Sequence, residues 1–330
     1  MPSTPERAVG RALILALALL LPTGAPLAEP AAALDLRTRP TTPPTDPAAA
    51  HWQAVAGLEI LRQRGIGGFS SVLRSTEPER LLLASDRGFW VDVAPVRDAT
   101  GALVGLADAR RHAGLLPPSW SQDVEGMAWV DGDLVVSTEG GSRGPDRILR
   151  FDDSRLPAAI VDSRDLQALD LGANRGLEAL ADLPDGGWFA VAETRRDGGF
   201  VAVDDRGHAY RYQTEDGFVP TGADRIGDRL VLVERSLGLL SGWRARVVCL
   251  ELDALRPGAV LAPVVLARLD GAGIDNMEGI AVWPQGDDVE VLLVSDDNLA
   301  APQRTLLLHY RWQGGASGGC GTRPHQQAEG

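Results

Sequence analysis

The chain has 330 residues, 44% of them hydrophobic, so it can bury a sizeable core, either in one large domain or in two smaller ones. All 32 basic residues are arginine, which excludes a Walker-type phosphate loop and lysine Schiff-base chemistry. A net charge of -13 without a basic stripe argues against nucleic acid or an anionic membrane surface as partner.

In chain order, Arg7 and Arg11 precede the apolar run Ala12 to Leu21, then Pro22, Gly24 and small residues. This pattern predicts a signal peptide over residues 1–28, with no membrane span left after cleavage and a periplasmic or secreted mature protein. Residues 29–50 are rich in Pro, Ala and Thr and predict a disordered or extended linker, and 314–330 predict a flexible Gly-rich tail.

Between them, over 51–313, one unit recurs five times: a small or acidic residue, an apolar stretch, a turn, a second apolar stretch, then an acid. Its copies are FSSVLRSTEPERLLLASDRG from Phe69, VEGMAWVDGDLVVSTEG from Val124, LEALADLPDGGWFAVAE from Leu177, PTGADRIGDRLVLVER from Pro220 and MEGIAVWPQGDDVEVLLVSDDN from Met277. Equivalent positions Ser70, Glu125, Glu178, Thr221 and Glu278 are 55, 53, 43 and 57 residues apart, the length of a four-stranded propeller blade. Short β-branched runs around Gly, Asp and Pro turns make each unit a β-hairpin. The prediction is an all-β fold, a single β-propeller of five or six four-stranded blades. His51 to Arg62 and Thr305 to Trp312 would close the ring by sharing a blade. A sixth, degenerate blade could use Ala245 to Leu252 and Val260 to Leu269.

Folding each hairpin brings its two ends together opposite the turn. Glu125 then meets Glu139, Glu178 meets Glu193, Glu278 meets Asp296, Ser71 faces Asp86 and Thr221 faces Glu234, a ring at one channel mouth. Two carboxylates about 6 Å apart repel by roughly 3 kcal/mol at an effective dielectric near 20, so the ring needs cations, arginines or raised pKa values. Arg87, Arg195 and Arg235 lie just beyond the second strand of their repeats and are candidates for binding an anionic substrate, or for structural ion pairs with the adjoining acids. Glu125/Glu139 and Glu278/Asp296-Asp297-Asn298 have no such arginine beside them and, with Asn276 and Asp123, offer hard oxygen ligands of the kind calcium takes. The Glu-Gly pairs admit two readings: contact with a metal or ligand, or latching of one blade to the next.

The motifs EGMAWVDGDLVVSTEG, GLEALADLPDGGWFAVAE, VLVER and NMEGIAVWPQGDDVEVLLVSDDN make the chain similar to the phytase-like family, also described as esterase-like activity of phytase, from about Gly57 to Trp312. The resemblance implies relatedness to calcium-dependent propeller phytases, in which mouth acids hold calcium ions that bind substrate phosphates and activate a water. It implies calcium as cofactor and points to Glu125, Glu178 and Glu278 as catalytic, with Glu139, Glu193, Glu278, Asp296 and Asp297 as metal ligands, to which the oxygen-ligand reading above adds Asn276. Thr221 stands where other repeats carry Glu, and Ser70-Ser71 replaces Glu-Gly, so the acidic ring is incomplete.

Three functions remain open at this point: a calcium-dependent hydrolase of phosphate or other small anionic esters, a calcium-dependent lactonase, and a non-catalytic propeller that binds an envelope ligand or protein. Gly315-Ala-Ser317-Gly-Gly319 matches a nucleophile-elbow pattern but lies in the glycine-rich tail, so it gives no serine nucleophile. His51, His112, His208, His309 and His325 show no zinc spacing. Cys249 and Cys320 either form a bridge, which an exported compartment would permit, or stay unpaired.

Overall fold

In the computed structural model, residues 31–321 are described, except 78, 114–115, 153–158 and 173–174. The expected signal peptide, 1–28, lies outside them. Five antiparallel sheets stand around a central channel, one for each repeat. The inner strands are Phe69–Arg74, Asp123–Val130, Leu177–Asp182, Val219–Ile226 and Met277–Gln285. The second strands are Leu81–Ser85, Asp133–Glu139, Trp188–Arg196, Arg229–Gly238 and Asp288–Ser295. The fold is thus an all-β propeller of five blades.

Each inner hairpin turns at the end away from the mouth. In the second blade Val130 pairs with Asp133, leaving the two-residue loop Asp131-Gly132 with φ of 52° and 87°. Both are left-handed, the turn whose twist matches that of the flanking strands. Apolar side chains on both faces of the blades pack against the neighbouring blades. Five buried clusters result, one in each gap between successive blades.

The ring closes in the fifth blade, where Thr305–Trp312 pairs antiparallel with Trp52–Ile60 from Thr305↔Ile60 to Trp312↔Trp52. Among the described residues no sixth sheet forms. Gly242–Glu251 and Val264–Leu269 are the third and fourth strands of blade four, and Val260–Leu261 adds a short parallel edge to blade three.

Of the stretch 29–50, expected to be a disordered or extended linker, residues 31–50 are described and include two strands. Ala32–Leu34 is the outermost strand of blade one, against Leu103–Ala113, and Thr38–Thr41 is the outermost strand of blade five. Backbone bonding at two open sheet edges orders this stretch, and its side chains give no strand pattern to read. The described part of the tail, 314–321, is also held: the Gly314 amide donates to Asp288 Oδ1 at 2.9 Å, and a Cys249–Cys320 disulfide joins blade four to residue 320.

Candidate active site at the channel mouth

The five inner hairpins share one irregularity. Pairing shifts by a bulge between Phe69 and Ser71, Val124 and Met127, Leu177 and Ala179, Pro220 and Gly222, and Met277 and Gly279. The skipped positions are the equivalent residues of the repeat, Ser70, Glu125, Glu178, Thr221 and Glu278, joined in the second blade by Gly126. A bulge re-aims a side chain out of the sheet. Here Glu125, Glu178 and Glu278 turn into the channel mouth, along with Ser70.

Close approach of the blades explains the glycines that follow. A Cβ on Gly126 would lie 2.6 Å from the Glu178 carbonyl oxygen, and one on Gly222 2.5 Å from that of Glu278. Latching falls to the two non-acidic positions. Ser70 Oγ donates to the Val124 carbonyl at 2.5 Å and Thr221 Oγ1 to the Met277 carbonyl at 2.8 Å, each bonding to the next blade.

Register then defines a second ring. One residue beyond the pairs Phe69↔Ser85, Val124↔Thr138, Leu177↔Ala192, Pro220↔Glu234 and Met277↔Ser295 come Asp86, Glu139, Glu193, Arg235 and Asp296. All five line the mouth. The sequence expectation that Glu234 faces Thr221 here is off by one residue. Glu234 is fully buried, accepting from Tyr212 Oη at 2.6 Å and Thr214 Oγ1 at 2.8 Å and paired with Arg246. Arg235 takes the ring position.

The mouth is a cavity of about 330 Å³. Its lining holds eight carboxylates (Asp86, Asp123, Glu125, Glu139, Glu178, Glu193, Glu278 and Asp296), together with Ser70, Asn298 and, among the described residues, one arginine. Single ligand oxygens of Asp123, Glu125 and Glu139 all lie within 4.8 Å of one another. Across the mouth, Arg235 Nη2 donates to Glu193 Oε1 at 2.8 Å, and its Nε lies 3.2 Å from Glu278 Oε1. Glu278 Oε1 also accepts from Asn276 Nδ2 at 2.7 Å.

Crowding of like charges under partial burial shifts their titration. Burial first, then neighbouring carboxylates, push Glu125 and Glu178 well above the ordinary range; the leading neighbour is Glu178 for the former and Glu193 for the latter. Asp123 is raised by burial. Asp86 is pushed up to about 6 by burial and the Asp123 charge, and Asp296 to about 8 by burial and Glu278. Glu278 is pushed up only to about 7, because Arg235 opposes its burial. Arg235 itself, though burial works against its charge, is raised by Glu278 and Glu193.

The other nominated residues are divided between the mouth's surroundings and its rim. Asn276 is buried behind Glu278, with its Oδ1 lacking a hydrogen-bond partner. Asp297 turns away from the mouth: its Oδ1 accepts from the Gly68 and Leu299 amides at 3.0 and 3.1 Å, and its Oδ2 lies 3.6 Å from Arg62. Arg87 is exposed on the rim, 3.9 Å from Asp86, and Arg195 is exposed with its guanidinium 4.5 Å from the Phe200 ring centre. A larger cavity, about 750 Å³, opens at the opposite end beside Leu183, Pro184 and Asp185. There Asp204 Oδ2 is already engaged by His208 and Tyr210 at 2.8 and 2.9 Å, so the convergent acids distinguish the mouth.

Solved structures similar to this chain are a thermostable family-43 glycoside hydrolase, the endo-arabinase of Bacteroides thetaiotaomicron VPI-5482 and the alpha-L-arabinanase of Cellvibrio cellulosa. Their identities are 11%, 11% and 10% and their TM-scores 0.45, 0.46 and 0.43, each over 74% of this chain and 89%, 94% and 92% of the other. No curated protein sequence matches. The family model described as "Phytase-like: Esterase-like activity of phytase" matches residues 64–299, a span that takes in all five inner hairpins and both rings of the mouth, and the chain belongs to that phytase-like family.

Proposed function

We propose that the protein is an exported, calcium-dependent hydrolase of phosphate or other small anionic esters, acting at the channel mouth. The observation that carries this reading is the convergence of Asp123, Glu125 and Glu139 within 4.8 Å. The donor set fits a hard divalent cation: every candidate atom is oxygen, and Asn276 Oδ1 is a further buried oxygen without a partner. Asp123, Glu125 and Glu139 would hold one ion, and Asn276 and Asp296 could contribute to another. Calcium so held supplies positive charge for an anionic ester in an acidic well, and Lewis acidity at the ester group.

The chain's own groups have separate roles. Arg235 orients the anionic group from the side opposite the three convergent acids. Glu278 Oε1 accepts from Asn276 Nδ2 and lies 3.2 Å from Arg235 Nε, which leaves Oε2 to carry its proton. Held near 7, that proton is available at neutral pH for a leaving alkoxide. Glu178, which burial and the Glu193 charge push well above the ordinary range, is the carboxyl that, once ionised, can take a proton from an attacking water.

Calorimetric titration of chelator-stripped protein with calcium, followed by hydrolysis assays on an aryl phosphate and an inositol polyphosphate, tests the reading. Micromolar binding should be lost in Glu125→Gln and retained in Asp297→Asn, and turnover should stop in EDTA and return with calcium. Absence of both binding and turnover would leave the acids as a proton-sharing ring and favour the ligand-binding alternative.

A further inference from the structure

On the mouth face, one hairpin differs from the rest. The strands Arg229–Gly238 and Gly242–Glu251 continue past the ring residue Arg235, through Ser236↔Arg244, Leu237↔Trp243 and Gly238↔Gly242. The fourth strand stops at Ala245↔Leu269, and the inner strand ends its pairing at Val219↔Arg235. Three residue pairs therefore extend past the other two strands, about 10 Å at roughly 3.4 Å per residue. Their base is packed, with Ser236 buried, Arg244 5.3 Å from the Phe218 ring centre and Trp243 against the core, and the tip beyond them projects as a two-stranded finger.

The finger's tip is apolar. Leu239 and Leu240 are 101% and 99% exposed, and Leu237 is 63% exposed. The corresponding hairpin of blade three ends in Asp197-Gly198 flanked by exposed Arg195 and Arg196, the polar chemistry expected of a loop in water. Adjacent leucines with no surface in contact with protein are a liability unless something apolar receives them.

We infer that the finger inserts into a phospholipid surface and lays the channel mouth against it. Its layering favours a bilayer as occupant. From the tip inward come Leu239-Leu240, then the half-buried Trp243, then Arg244, which donates to Ser236 Oγ at 3.1 Å. This is the order of hydrocarbon, interface and phosphate depth. Exposed arginines also crown the turns of other blades on this face, at Arg87, Arg143 and Arg195-Arg196, where headgroup phosphates would lie. The net charge of -13 conceals this rim because most of it resides elsewhere, including in the sunken mouth. A narrow convex tip presents far less than the roughly 800 Å² per partner of a stable protein interface, so a second protein fits it poorly.

The inference is independent of hydrolysis, and its test needs no turnover. Mature protein beginning at Glu29, mixed with phosphatidylcholine vesicles, should float with them. Leu239→Asp/Leu240→Asp should lower the bound fraction about tenfold or more at an unchanged melting temperature. Lipids brominated on the acyl chain should quench tryptophan emission, and Trp243→Phe should remove the quenched component. Failure of the parent protein to float, equal flotation of the double variant, or quenching unaltered in Trp243→Phe would each overturn the inference. So would a double variant that binds vesicles normally and differs only in passing from dimer to monomer.

Discussion

Arg235 stands in blade four at the ring position that Glu193 holds in blade three, and the two side chains are joined at 2.8 Å. One break in a fivefold acidic pattern thus supplies a cation to a mouth lined by eight carboxylates. Replacing it with a neutral side chain of similar length, in Arg235→Met, should lower metal-free stability by about 1–3 kcal/mol at pH 8, because Glu193 and Glu278 lose their shared partner. Calcium, relieved of a like charge, should bind severalfold more tightly. If the arginine orients substrate, KM for an anionic ester should rise about tenfold or more. Melting curves with and without calcium, together with steady-state kinetics, check this; an unchanged KM with a lowered Tm would make Arg235 structural only.

Stability in EDTA should fall as pH rises. Carboxyls with ordinary values of 3.8 to 4.5 are held at about 7 for Asp224 and Glu278 and about 8 for Asp296 in the folded state. Between those limits the native protein keeps protons that the unfolded chain releases. The contribution is complete below about pH 4 and is lost as pH rises through 7 and 8. Asp224 lies outside the mouth, half-buried between blades four and five, where its Oδ2 accepts from the Val282 amide at 2.7 Å. Scanning calorimetry should show Tm dropping by roughly 5 °C or more from pH 5 to pH 8. Asp224→Asn should flatten part of that slope, and saturating calcium should flatten more. A Tm that is flat or rising over this range in EDTA would contradict the protonated-mouth picture.

The five inner hairpins were legible because each is local: two apolar runs and a turn determine it, and repetition gives the blade. Ring closure was legible from two lone strands at the ends of the repeat region. Bulges were not, since one skipped residue leaves alternation unchanged on either side. They decide the site, however, and aligning repeats on their final acid put Glu234 in the mouth in place of Arg235. Counting back from the two-residue turn Gly227-Asp228 with one bulge allowed would have given the observed register. Ala32–Leu34 was unreadable for another reason: it is a strand by virtue of a distant edge, and its own residues carry no preference for one. Asp297 shows the limit of composition, because an Asp-Asp-Asn run places only Asp296 and Asn298 at the mouth while the middle residue bonds the Gly68 and Leu299 amides.

The disulfide acts on the same closure problem as the shared fifth blade. Cys249 is buried in the third strand of blade four, and Cys320 follows the last strand of blade five, 71 residues on. The intervening loop contains the fourth strand of blade four and the three C-terminal strands of blade five, so the bridge limits opening of the ring where chain ends meet. Polar contacts support it: the Cys320 amide donates to Glu251 Oε1 at 2.6 Å and the Ala316 amide to the Asp287 carbonyl at 3.0 Å. On a chain-entropy argument a loop of this length is worth about 4 kcal/mol, an upper value if the reduced unfolded chain retains structure. Cys320→Ala should therefore lower the denaturant midpoint, and adding reductant to the parent should reproduce the shift while leaving the variant unmoved. Calcium affinity should be unaffected, because Cys249↔Val264 lies toward the end of blade four opposite Arg235. Equal midpoints with and without reductant would show that the hydrogen-bonded tail and the shared blade close the ring without the covalent link.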